Sequence, residues 1–317
     1  MILDIILVVV GFVVLIKGAD LFVDGASGIA AKFKIPKIFI GLTIVAFGTS
    51  LPEFAVSIKS IISGNHDIVL GNVFGSNILN ILLILGVCSI FKSIEIKENT
   101  LKKEIPMMIL LTLLCSVLLV DNLFDNRINN SLSRSDGLII LIFFSIFIYY
   151  LVSMALKKDR KKDIIEVIPL SKAIIYSIMG GIMIYVGSNL AVDNSVGLAK
   201  ILGVSEKMIG LTIVALGTSL PELVTGVTAA RKGESDIAIG NVVGSNIFNI
   251  GIVLGFPISI FGGIDKINFS YVDLVVMLVS GILLWIFSFS KRTINKKEGI
   301  VFILIFIVYY AYILINQ

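Results

Sequence analysis

Residues 41–86 reappear at 210–255 without a gap, at a constant offset of 169, and 26 of the 46 positions are identical. GLTIVAFGTSLPE faces GLTIVALGTSLPE, and GNVFGSNILNI faces GNVVGSNIFNI. The match continues weakly upstream, where Gly18, Leu21, Val23 and Asp24 meet Gly187, Leu190, Val192 and Asp193. A duplication of this extent limits the architecture severely, because whatever one half builds the other must build again.

Both halves are apolar. Hydrophobic residues make up 57% of the 317 and charged ones 15%, with a mean hydropathy of +1.03. A soluble domain carries far more charge. Ten apolar runs span about 2–23, 39–62, 68–91, 105–121, 136–156, 171–192, 208–230, 237–261, 271–289 and 298–315. Polar residues collect in the breaks, as in KFKIPK, SGNHD, KKDRKKD and RKGESD. Backbone groups in lipid must be satisfied within the segment, so the runs read as helices; a barrel would show short alternating strands. The expected fold is an all-α polytopic membrane protein of ten transmembrane helices.

Five helices per half is an odd number, so the second copy inserts upside down relative to the first. The expected organisation is one membrane domain: an inverted repeat at 1–156, a basic cytoplasmic linker at 157–170, too short for a folded domain, and a second inverted repeat at 171–317. With the N-terminus outside, 18 Lys and Arg fall in inside loops and 5 in outside loops. That bias places both termini outside a cell membrane. The first run lacks a basic n-region and a clear cleavage site and reads as a retained helix. No basic cluster with interleaved aromatics is present, which argues against nucleic acid as a partner. Cys88 and Cys115 lie in apolar runs and read as small buried hydrophobes.

The chemistry sits in the duplicated GTSLPE at 48–53 and 217–222. Glu53 and Glu222 fall near the middle of their runs, at the depth where a carboxylate needs a partner or a wet cavity. Pro52 cannot donate to the carbonyl four residues back, at Gly48, so the helix should kink or break and free carbonyls around Phe47, Gly48 and Thr49. Those carbonyls, the hydroxyls of Thr49 and Ser50 and the Glu53 carboxylate are hard oxygen ligands, suited to Na⁺ and Ca²⁺ and not to zinc or copper. The second motif adds more. Asn72, Ser76 and Asn80 fall at i, i+4 and i+8, on one helix face, and Asn241, Ser245 and Asn249 repeat them. Gly71 with Gly75 and Gly240 with Gly244 give GxxxG spacings that admit close helix packing.

Each motif alone has a bland reading, a Pro kink or a packing seam. Two copies of both at one offset outweigh it. Lys17 and Asp20, three apart, read as a self-neutralising pair with a structural role. His66, in the turn SGNHD, reads as a solvated loop histidine. Gly25-Ala26-Ser27-Gly28 has the form of an intramembrane protease nucleophile motif, but that chemistry needs a His base in a neighbouring helix, and His66 is the only histidine. An enzyme is therefore not expected. A cation channel would use the same oxygens as an open path, and duplicated broken helices favour an exchanger over it.

The paired GTSLPE and GN-x-x-GSN motifs resemble the two alpha-repeats of the cation/calcium exchanger superfamily, specifically its sodium/calcium exchanger branch of prokaryotic type. The resemblance covers essentially the whole chain. It implies an antiporter that exports Ca²⁺ against Na⁺ entry, with four cation sites between the second, third, seventh and eighth helices. Carried over by position, Glu53 and Glu222 would be the Ca²⁺ carboxylates, completed by the carbonyls of Thr49 and Thr218. The Na⁺ sites would use the Ala46 and Ala215 carbonyls with Thr49, Ser50, Thr218, Ser219, Ser76 and Ser245. Asn80 and Asn249 would line the central site. Some family members carry Asp where Asn249 stands; here two carboxylates remain, which weakens the alternative of Ca²⁺/H⁺ exchange and leaves that of K⁺-linked or other divalent exchange on the same fold. The transported ions are Na⁺ and Ca²⁺, no cofactor is implied, and a single chain is the expected functional unit.

Two Glu⁻ balance one Ca²⁺ or two Na⁺, so a third Na⁺ would leave the loaded site at +1. Moving one charge through ~100 mV is worth ~2.3 kcal/mol, which makes a 3:1 electrogenic exchange coherent. Alternating access is expected from sliding of the first and sixth helices over the motif helices, eased by Gly18, Gly25 and Gly28 against Gly180, Gly181 and Gly187.

Overall fold

The computed structural model describes residues 2–64, 66–120, 129–156, 168–203, 215–267 and 270–316. The chain runs α1 (Ile2–Phe33), α2 (Lys37–Thr49), α3 (Leu51–Ile62), α4 (His66–Leu79, continuing through Asn80–Leu85 and Gly86–Phe91), β1 (Ile94–Glu95) and α5 (Thr100–Glu104 into Ile105–Leu118). β2 (Asn130–Leu132), α6 (Arg134–Leu156), α7 (Leu170–Ile201), α8 (Ala215–Thr218), α9 (Leu220–Lys232) and α10 (Ser235–Phe261) follow. β3 (Ile264–Ile267), α11 (Tyr271–Phe289), β4 (Thr293–Ile294) and α12 (Lys296–Asn316) complete it. Among the described residues seven helices are long and apolar enough to cross a membrane, and the bent pair α2–α3 makes an eighth span. The protein is a mostly helical multi-pass membrane protein. The run expected at 208–230 begins outside the described residues, as does most of the linker, 157–167.

α4 and α10 form the centre, with most of their surface covered by other helices. α1, α6, α11 and α12 turn apolar side chains such as Ile6, Val13, Ile142, Val275 and Leu304 outward, as lipid-facing helices do. α1 and α7 are 32 residues each. At ~1.5 Å per residue they are about 48 Å long, well over a hydrocarbon thickness of ~30 Å.

These two pack on each other along a seam of small residues. Gly11, Leu15, Gly18, Phe22 and Gly25 are buried on α1; Ala173, Ser177, Gly180, Ile184, Gly187 and Ala191 are buried on α7. Both series alternate steps of three and four, the 3.5-residue period of a coiled-coil seam. A Cβ on Gly18 would lie 2.8 Å from the Ile184 nitrogen, one on Gly25 2.5 Å from that of Ser177, and one on Gly187 2.5 Å from that of Leu15. The pairings descend on α7 as they climb on α1, so the helices run antiparallel. The glycines therefore lock α1 to α7, and Gly181, with only Phe22 near at 3.9 Å, stands outside the tightest part of the seam.

Two short ribbons, absent from the sequence expectation, tie loops of one half to loops of the other. β1 pairs with β4 and β2 with β3, both antiparallel. Cys88 and Cys115 are free and buried, as expected. Lys17 makes no ion pair with Asp20; Asp20 and Asp24 face Lys232 of α9 instead, at 3.5 and 2.7 Å. The side chain at 232 belongs to another helix, so spacing within α1 could not reveal it. His66 opens α4 half-buried, with Nδ1 shielded and unpartnered, and is not a solvated loop residue.

Candidate functional site

GTSLPE breaks its helix twice. α2 and α3 meet at Ser50 (φ −83°, ψ 5°) at a bend of 46°. α8 and α9 meet at Ser219 (φ −94°, ψ 9°). Pro52 and Pro221 stand in the first turn after each break, a place where the missing N–H costs nothing within the new helix. The carbonyl that Pro221 leaves without a donor, Gly217, is reached by the Ser188 hydroxyl of α7 at 3.4 Å. At the matching position of α1 stands Ala19, which has no hydroxyl to offer.

The broken helices trade contacts across the molecule. Ser50 donates to Glu222 Oε1 at 3.2 Å, and Ser219 donates to Glu53 Oε1 at 3.2 Å. Residues 50 and 219, like 53 and 222, differ by the repeat offset. Asn72 donates to the Glu53 carbonyl at 3.0 Å, and Asn241 to that of Glu222 at 3.2 Å. Asn80 donates to Asn246 Oδ1 at 2.9 Å, and Asn249 to Asn77 Oδ1 at 3.1 Å. Asn77 and Asn246 exchange amide-to-carbonyl bonds at 3.4 and 3.2 Å. Each bond recurs with both partners moved by 169.

Both glutamates are buried, Glu53 1% and Glu222 0% exposed. Among the described residues no Lys, Arg or His forms a salt bridge with either. Glu53 Oε2, Glu222 Oε2, Asn80 Oδ1 and Asn249 Oδ1 are buried with no hydrogen-bond partner. Four buried oxygens without partners, two of them on carboxyl groups, are costly in a protein interior, and a bound cation would satisfy them. The surrounding groups are hydroxyls, amides and carbonyls. These are hard oxygen donors, which suit hard cations and not transition metals.

Ser50 meets Glu222, and Ser219 meets Glu53 and, with hydroxyl oxygens 3.2 Å apart, Ser76; Asn80 and Asn249 are buried and bonded to Asn246 and Asn77. Thr49 lies beside them, its hydroxyl 3.1 Å from Asn241 Oδ1 and 3.1 Å from the Val45 carbonyl. The Ala46 carbonyl already accepts from the Ser50 amide at 3.1 Å and faces the Ser245 hydroxyl at 3.5 Å. Thr218 is half-buried at the end of α8, which begins at Ala215. Asn72 and Asn241 brace the backbone of the broken helices through their amide nitrogens, and Asn241 Oδ1 accepts from Thr49. Asn77 and Asn246 were missed because they stand off the i, i+4, i+8 stripe. Their signal was identity in both copies of GSN.

A family model described as sodium/calcium exchanger protein matches residues 3–153 and 172–315. The chain belongs to that family. Within the cation/calcium exchanger superfamily it falls in the prokaryotic branch. It is 31% identical over 344 residues to the sodium/calcium exchanger MaX1 of Methanosarcina acetivorans, covering 96% of each chain. It is 37% identical over 285 residues to the inner membrane protein YrbG of Escherichia coli K12, covering 86% of this chain and 85% of that one. The solved sodium-calcium exchanger NCX_Mj, soaked with 2.5 mM Na⁺ and 0.1 mM Ca²⁺, aligns over 98% of both chains at 32% identity and a TM-score of 0.85. Membership of an exchanger family makes this a transporter of cations.

Proposed function

We infer that this protein is a secondary active antiporter that exchanges Na⁺ for Ca²⁺ across the cell membrane. The observation that carries the reading is the reciprocal pair Ser50–Glu222 and Ser219–Glu53, with a free carboxylate oxygen left on each glutamate. Two carboxylates facing one cluster neutralise one Ca²⁺ or two Na⁺. The two ions therefore compete for the same oxygens, which is what exchange requires. A third Na⁺, held by hydroxyls and carbonyls alone, gives a net charge of +1 and a 3:1 electrogenic cycle. A negative interior then favours Ca²⁺ export by ~2.3 kcal/mol per 100 mV.

In this reading Glu53 and Glu222 hold Ca²⁺ with the Thr49 and Thr218 carbonyls. Na⁺ uses those groups together with Ser50, Ser219, Ser76, Ser245 and the Ala46 and Ala215 carbonyls, while Asn80 and Asn249 line the centre. Ten helices in two inverted halves, 1–156 and 171–317 joined by the basic segment 157–170, support the site. The reciprocal hydrogen bonds and the antiparallel α1–α7 seam both favour that arrangement. The charge bias of the loops supports both termini outside. One chain contains every ligand, so a single copy suffices.

The deciding experiment is ⁴⁵Ca²⁺ uptake into proteoliposomes loaded with Na⁺ and diluted into Na⁺-free buffer. Uptake is expected to need the outward Na⁺ gradient and to rise with an inside-positive or fall with an inside-negative diffusion potential as net charge dictates. Uptake driven by a pH gradient and indifferent to Na⁺ would replace this reading with Ca²⁺/H⁺ exchange.

A further inference from the structure

Thr225 is 0% exposed and its Oγ1 has no hydrogen-bond partner. Among the described residues Thr100, the first residue of α5, shares this trait, but the other threonines inside helices do not. Thr43, Thr49 and Thr112 each direct the hydroxyl to the carbonyl four residues back, at 2.6, 3.1 and 2.9 Å, the ordinary way to satisfy it. Thr225 does not, although Pro221 stands at that position. Its hydroxyl lies one turn beyond Glu222 on the same face of α9, since residues three apart are surface neighbours. Two buried oxygens without partners, Glu222 Oε2 and Thr225 Oγ1, thus follow one another along one helix face.

That face leads to the basic end of α9. Glu222, Thr225, Ala229 and Lys232 follow at steps of three, four and three. Lys232 reaches the Asp24 carboxylate at 2.7 Å and the Asp20 carbonyl at 2.8 Å, both on α1. The same positions in the first half are Val56, Ser60 and Ser63. Val56 has no hydroxyl, Ser63 turns its own back to the Lys59 carbonyl at 2.7 Å, and the buried Ser57 hydroxyl, four residues past Glu53, is engaged by the Asn72 amide at 3.2 Å. The two ends of the molecule therefore differ where the repeat would make them alike.

We propose that Thr225 Oγ1, with Glu222 Oε2, forms an additional cation ligand pair on the cytoplasmic side of the central cluster, a stop for Ca²⁺ on entry that the external side lacks. The proposal rests on the exchange reading and on the orientation given above. Hydroxyl and carboxylate oxygens are Ca²⁺ ligands, and water can supply the rest of the shell.

The test uses full-length protein in membrane vesicles of both orientations, with ⁴⁵Ca²⁺ as the probe. Thr225→Val is expected to raise the KM for Ca²⁺ at the cytoplasmic face roughly fivefold, the size of one lost neutral oxygen contact, with the external KM unchanged. Thr225→Ser is expected to restore it. An unchanged cytoplasmic KM, an equal rise at both faces or a failure of Thr225→Ser to rescue would each overturn the proposal. If Thr225→Val does not fold, Thr225→Ala carries the same comparison. Glu222→Gln run beside them separates the two readings: lost exchange there with a silent Thr225→Val rejects only this inference, while sustained exchange in Glu222→Gln rejects the exchange reading itself.

Discussion

Ser219 touches both Glu53 and Ser76, each at 3.2 Å, whereas Ser50, its counterpart, reaches Glu222 alone. The two broken helices are thus alike in sequence and unequal in bonding. Ser219→Ala is expected to leave two buried polar groups short of a partner and Ser50→Ala one. The half-saturating Na⁺ concentration for exchange should rise in both, with Ser219→Ala the larger by about threefold or more, at ~1 kcal/mol per lost bond. Na⁺ titration of ⁴⁵Ca²⁺ efflux checks this; equal shifts would sink it.

Glu53→Gln and Glu222→Gln keep the shape of the side chain and remove one of two charges. Taking away one partner of a buried ionic contact costs ~3–5 kcal/mol. Exchange should fall about a hundredfold or more in each variant, and the protein should still purify folded. Retained exchange in either one would show that the ion does not depend on both carboxylates.

Asn77 and Asn246 bond each other's backbone carbonyls and accept from Asn249 and Asn80. Asn77→Ala and Asn246→Ala should each lower the melting temperature in detergent by several degrees, with ~1–3 kcal/mol lost per orphaned network. Because they share partners, the double variant should cost less than the sum of the singles. Strict additivity in that cycle would mean the amides act independently.

Gly187 meets the Leu15 backbone so closely that any Cβ must displace it. Gly187→Leu is expected to pry α1 from α7, lowering thermal stability and abolishing exchange, while Gly197→Ala, which meets nothing within 4 Å, should leave both unchanged. Normal exchange in Gly187→Leu would show that the seam is not needed for transport.

Much of this architecture could be read from the residues because lipid leaves few options. The run 68–91 became Ile68–Phe91 and 271–289 became Tyr271–Phe289, since apolar length alone sets such spans. Glu53, Glu222 and their serines were legible because Pro and Glu in mid-membrane have no cheap structural use. Asn77 was not, because a 100° step placed it off the stripe, and its value lies in a helix 169 residues away. Lys232 falls in the polar break RKGESD, and its pairing with Asp24 joins two helices far apart in sequence, which no local pattern encodes. The α1–α7 seam could have been found: Gly11, Gly18 and Gly25 stand seven apart, but hydropathy hides a period written in small residues.

A seam of glycines that admits no slack turns two helices into one beam. Neither α1 nor α7 can shift along the other without a clash of backbones, so whatever displaces one helix carries its partner with it.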